Sequence, residues 1–189
     1  MTTFKFSQWA MTLILGGVLF TACNKKDPEP ENEQEEINSM VVTFSPTGGG
    51  SPVVFSFLDA DGPGGLPAVI AAPALRANTT YNVGVALAKV KGAAVESKNA
   101  EITAEGTVHQ FFFVFNPTGL AQHTYSDTDA SNRPIGLANR VVTGAAATGA
   151  LRVILRHELN KAFAGLNATN YLQAGGETDI EVSFNVAVQ

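Results

Sequence analysis

The sequence predicts an all-β sandwich, and three observations carry that expectation. Over residues 37–189 helical periodicity is nearly absent, and short segments of alternating apolar and polar residues dominate. Clusters of Gly, Pro, Asn and Asp separate those segments, as turns require. Blocks of sequence also recur at a spacing of about 70 residues. A stretch of about 150 residues is long enough to enclose one β core.

The expected strands run in order. Met40–Ser45 and Val53–Leu58 flank the turn Thr47-Gly-Gly-Gly-Ser51, which lacks the Lys-Ser/Thr and the helix of a phosphate loop. Ala68–Ala71, Thr80–Lys89 and Glu101–Ala104 follow. Val108–Asn116 contains Phe111-Phe-Phe-Val-Phe115, apolar on both faces, which predicts a central buried strand. Ala121–Ser126, Leu137–Thr143, Ala150–His157 and Asp179–Val188 complete the set, and Leu159–Ala174 holds at most one short helical turn.

The repeat predicts how these strands group. Phe44-Ser-Pro-Thr-Gly48 matches Phe115-Asn-Pro-Thr-Gly119, and Phe57-Leu-Asp-Ala-Asp61 matches Tyr125-Ser-Asp-Thr-Asp129. Pro63 matches Pro134, Thr80–Leu87 matches Ala150–His157, and Gly106–His109 matches Gly176–Asp179. The expectation is one immunoglobulin-like sandwich made by internal duplication, with units of about 40–110 and 111–189 that share the strand Val108–Asn116.

The N-terminus has another character. Lys5 precedes the apolar run Trp9–Phe20, and small residues lead to Cys23. That is the pattern of a secretory signal over residues 1–22, too short to span a bilayer. Leu19-Phe-Thr-Ala-Cys23 resembles the bacterial lipobox, in which the cysteine is lipidated and becomes the new N-terminus. The chain has one cysteine, so acylation of Cys23 leaves no thiol for disulfides, catalysis or metal binding. Residues 24–36 carry six acids and two bases, a solvated tether that charge keeps extended. Lys25-Lys-Asp27 resembles the Lys-plus-acid export signals of Bacteroidota surface lipoproteins.

Further residues extend the likeness. The frame of Pro-Thr-Gly, Asp-x-Asp, Leu151-Arg-Val-Ile-Leu-Arg-His-Glu158 and Gly175-Gly-Glu-Thr-Asp-Ile-Glu-Val-Ser-Phe-Asn-Val-Ala-Val-Gln189 resembles an uncharacterised family of Bacteroidota outer-membrane or surface lipoproteins. The likeness covers nearly the whole mature chain. Some members carry the label of a type 1 periplasmic-binding fold, which implies α/β structure; the strand pattern here predicts otherwise. The resemblance implies association with a TonB-dependent receptor and brings no catalytic residues with it.

Charge and composition narrow the function. A net charge of −5 offers no basic footprint for nucleic acid. No Gly-x-Ser-x-Gly elbow is present, so the sequence predicts no enzyme. Among three histidines, His109 shares strand parity with Phe111, Phe113 and Phe115, and His157 shares it with Leu151, Val153 and Leu155. If the two strands approach, the imidazoles meet at one end of the sandwich. Asp179, the repeat partner of His109, and Glu158 would then complete a set suited to zinc. The alternative for each histidine is a half-buried strand end bonded to a carbonyl. Asp59, Asp61, Asp127 and Asp129 form two Asp-x-Asp loops that either hold calcium or cap turns, and neither matches the twelve-residue calcium loop. With no Trp beyond the leader, a glycan platform would rest on Tyr171.

These readings converge on a lipid-anchored, non-enzymatic binding module of the outer membrane. It would face the cell surface or the periplasm and assist uptake, with metal capture as the candidate activity. The competing expectation is a structural or adhesive surface domain, stabilised by calcium or by no ion.

Overall fold

The computed structural model describes Met1, Thr2, residues 36–62 and residues 64–189. The readings of a leader, a lipidated Cys23 and the tether up to residue 35 lie outside the described residues, as does Pro63.

The domain is an all-β sandwich of two packed antiparallel sheets. The larger sheet runs β3 (Val69–Ala71), β2 (Val53–Leu58), β1 (Ser39–Pro46), β4 (Thr80–Lys91), β8 (Ala138–Thr143) and β7 (Ala121–Tyr125). A short β5 (Ala94–Ser97) pairs with the far end of β4. The smaller sheet runs β10 (Glu177–Val188), β9 (Ala147–His157) and β6 (Gln110–Asn116). Among the described residues no helix is long and apolar enough to cross a membrane.

Alternation writes this architecture. Met40, Val42 and Phe44 of β1 and Tyr81, Val83, Val85 and Leu87 of β4 turn inward. Phe111, Phe113 and Phe115, then Leu151, Val153 and Leu155, then Ile180, Val182, Phe184, Val186 and Val188 meet them from the smaller sheet. At about 25 cal/mol per Å² of apolar surface, this layer dominates the stability of the domain. A second apolar cluster lies on the outer face of the smaller sheet. There Phe112 and Ile154 are covered by Leu159, Tyr171 and Ala174 from the irregular segment that follows β9.

Two expectations need correction. Glu101–Ala104 is not a strand; it closes the short helix α1 (Asn99–Ala104). The Asn99 side chain accepts from Leu87 N–H and donates to Val85 C=O, so it pairs with the β4 backbone where a strand would have to. Helical spacing then buries Ile102 alone. Second, β6 is apolar on both faces but lies at the edge of its sheet, with β9 at the centre. Its outer face is covered by the segment after β9, and its Phe111 N–H and C=O bond Ile135 C=O and the Tyr125 hydroxyl. β7 and β8 join the larger sheet, while β6, β9 and β10 form the smaller.

Candidate metal centre

The strand register brings two histidines face to face. In the β6–β9 ladder Gln110 pairs with Arg156, so His109 and His157 stand opposite one another just past its end. Their rings stack with centroids 4.3 Å apart and an interplanar angle of 28°. Cross-strand neighbours at this spacing are the natural contact of an antiparallel pair. Both sit at the end of the inner face, as their parity predicts, and both are buried.

A bulge supplies the third group. Thr178 pairs with Arg156 but Ile180 pairs with Leu155, so Asp179 is an extra residue in β10. The even-numbered residues 180–188 of β10 face the core, and strict alternation would turn residue 179 outward. The bulge re-aims it, and the Asp179 side chain is 0 % exposed. Gly176 permits this turn: it has φ +71, and a Cβ there would stand 2.1 Å from the His157 carbonyl oxygen.

Asp179 addresses both rings, one oxygen to each. Its Oδ2 lies 3.5 Å from His109 Nε2, and its Oδ1 lies 3.7 Å from His157 Nδ1. Neither carboxylate oxygen, nor His157 Nδ1, makes a hydrogen bond among the described residues. His109 Nδ1 stands 3.2 Å from the Glu105 carbonyl oxygen, a separation that fits an N–H donor there. In the neutral ring Nε2 then carries a lone pair toward a carboxylate oxygen. Two acceptors facing each other in a dry site call for a cation between them, either a proton or a metal. Ligand atoms of tetrahedral zinc stand about 3.3 Å apart, close to the separations found here.

Glu105 joins on the open side. Its Oε2 is 3.8 Å from His109 Nδ1, and its side chain is 49 % exposed. Glu105, His109 and His157 each offer a ligand atom within 4.8 Å of the others. Sequence reasoning missed Glu105, because the i, i+4 spacing to His109 carries meaning only once the helical turn at α1 is known. Glu158 is not brought in. It follows the end of β9 with φ 53, exposed, outside the group.

The other sequence candidates have different surroundings. Asp59 Oδ1 accepts from Gly62 N–H at 3.0 Å and Asp61 Oδ2 from Leu66 N–H at 2.8 Å. Asp127 accepts from Gly136 and Ala138 N–H, and Asp129 Oδ1 accepts from Ser131 and Arg133 N–H. All four carboxylates thus bind backbone amides near their own turns. Tyr171 is no exposed platform: it is buried and stacked on Phe112 at 5.0 Å, with the Arg156 guanidinium over its ring. His123 stands apart from the cluster, stacked on Phe113 at 4.3 Å and bonded to Asn139 Oδ1 at 2.9 Å. Burial pushes its pKa below the ordinary histidine value. It lines an open groove of about 370 Å³ with Phe115, Tyr125 and residues 166–169, which shares no residue with the cluster.

Behind the histidines lies a buried cation. Lys161 Nζ donates to the His109 carbonyl at 3.0 Å and to that of Gly106 at 2.6 Å, and it pairs with Asp129. This fixes the backbone that carries His109. Comparison of the chain with known protein families, with curated proteins and with solved structures gives no match.

Proposed function

We propose that this chain is a lipid-anchored, non-enzymatic binding module of the bacterial outer membrane that captures a borderline transition metal, zinc foremost. His109 through Nε2, His157 and Asp179 would hold the ion, with Glu105 at the other ring nitrogen of His109. The observation that carries this is Asp179, a fully buried carboxylate set by a β-bulge between two imidazole nitrogens, without a hydrogen bond of its own among the described residues. A bare carboxylate in such a place is costly, and a bound cation removes the cost. Anchoring rests on the lipobox at Cys23, and service to a TonB-dependent receptor rests on the family resemblance.

A sandwich suits that role as a rigid frame. We infer an immunoglobulin-type arrangement, because the order β1-β4-β8-β7 opposite β10-β9-β6 is the A-B-E-D and G-F-C order, with β2 and β3 added beyond β1. Duplication is supported by one recurrence. β1 pairs antiparallel with β4, and their repeat partners β6 and β9 pair antiparallel as well, with the register shifted by two residues: Phe44 stands opposite Val83, and Phe115 opposite Leu151, the repeat partner of Tyr81.

The test is thermal unfolding of the fragment 37–189, stripped with chelator and supplied singly with Zn²⁺, Cu²⁺, Fe²⁺ or Ca²⁺. Binding at a hundredfold excess over Kd adds about 2.7 kcal/mol, so Tm rises by several degrees. Zinc or copper should raise Tm in the parent and not in His157→Ala. A calcium shift that disappears in Asp59→Ala or Asp127→Ala would favour the structural, calcium-stabilised reading instead. No shift with any ion would remove the metal reading.

A further inference from the structure

The second buried cluster holds a lysine and an aspartate at reacting distance. Asp129 sits in the connection between β7 and β8 of the larger sheet, and Lys161 follows β9 of the smaller. Lys161 Nζ lies 2.6 Å from Asp129 Oδ2, and each side chain is 1 % exposed. At that distance a straight hydrogen bond is expected, yet Oδ2 makes none among the described residues.

The partners of the two groups are those of an acyl transfer. Asp129 Oδ1 accepts from Ser131 N–H at 2.7 Å and Arg133 N–H at 3.0 Å. Two backbone donors on one carboxyl oxygen are the arrangement that stabilises a tetrahedral oxyanion. Nζ is held from the other side by the carbonyls of Gly106 and His109. Water is excluded and the reactants are fixed, conditions worth many orders of magnitude in effective molarity.

We propose that Lys161 and Asp129 condense into an intramolecular isopeptide bond. One proton passes from the ammonium of Lys161 to Oδ2. The neutral amine attacks Cγ, the C–N bond forms, and negative charge develops on Oδ1 between the two amide donors. A second proton follows to Oδ2, the Cγ–Oδ2 bond breaks, and Oδ2 leaves as water. The amide nitrogen keeps one hydrogen for one of the two carbonyls. No oxidant, reductant or metal takes part, so the step is independent of the metal reading. The product joins the connection between two strands of one sheet to a segment leaving the other. The chain's one cysteine, Cys23, lies ahead of the domain, so no disulfide can supply that link.

Peptide mapping of the full chain tests this. The protein is purified folded, denatured, digested with a protease that cuts after both lysine and arginine, so that Arg140, Arg152 and Arg156 part the Asp129 peptide from the Lys161 peptide, and analysed by mass spectrometry. The expected result is a branched species joining the Asp129 peptide to the Lys161 peptide, lighter by one water than the two together, with no cleavage after Lys161. Lys161→Arg keeps the charge and must abolish the branch. Asp129→Asn, with Lys161 intact, should still form it, with loss of ammonia in place of water. Separate, unmodified peptides from protein with a β circular-dichroism spectrum would overturn the proposal.

Discussion

The two Asp-x-Asp loops share a spelling and differ in almost everything else. Asp59-Ala-Asp61 joins β2 to β3 at the outer edge of the larger sheet, and Asp61 is exposed. Among the described residues each of its carboxylates accepts a single backbone N–H. Asp127-Thr-Asp129 joins β7 to β8, and each of its carboxylates accepts two. Asp129 also faces Lys161 in the interior. The spacing of two carboxylates therefore makes a turn in both places, and what lies across from the turn decides whether it also holds the domain together. No local pattern distinguishes the loops, because Lys161 is far along the chain.

The largest effect should come from removing the interior partner. Asp129→Ala leaves the Lys161 ammonium buried with no carboxylate, and breaking such a pair costs about 3–5 kcal/mol. Urea unfolding of parent and variant measures it. A loss below about 1 kcal/mol would mean that the second loop is only a turn, like the first.

Asp127→Ala tests the turn function alone. Gly136 N–H and Ala138 N–H lose their acceptor at the start of β8, at a partly exposed site. A cost of about 1–2 kcal/mol follows from two backbone donors left to partial solvation. The same unfolding curves should show an unchanged slope, since the exposed surface is the same.

How much of this was legible in the sequence varies with distance along the chain. The strands were legible because alternation is local: Met40, Val42 and Phe44 face the core as their spacing requires. The meeting of His109 and His157 was legible from parity, since both continue the inward rows of their strands. The aim of Asp179 was not legible by that logic, because parity from Ile180 onward turns it outward and a bulge reverses it. Glu105 was hidden by reading α1 as a strand. The cover of Phe112 by Tyr171 was hidden because an irregular segment has no period to read. Nothing local marks Lys161, and only the fold sets it against Asp129.

Acid should sharpen the contrast further, because the strand entering the second loop carries a pH-sensitive group. His123 on β7 has a folded pKa lowered by burial from 6.5, partly offset by Asn139 and by the charge of Asp127. The unfolded chain thus binds the proton more readily. Stability from this group is full above about pH 6.5 and is lost as pH falls toward the lower folded value. Tm measured from pH 8 to pH 5 should fall less steeply in His123→Gln, which lacks that titration. An identical slope in both proteins would remove His123 from the account.

The smallest effect belongs to Asp61. Its one bond among the described residues, to Leu66 N–H, lies in an exposed loop where water can replace it. Asp61→Ala should therefore change stability by no more than about 0.5 kcal/mol in calcium-free buffer. Side-chain entropy released from the loop offsets part of even that loss. The outcome that would undo the comparison is a loss near that of Asp129→Ala. It would place a hidden partner at the first loop and make the two turns equivalent after all. Repeating the measurement in millimolar calcium separates the remaining case: a cost that appears only with the ion present would show that Asp61 holds it, and that the first loop's role is set by a ligand where the second loop's is set by a lysine.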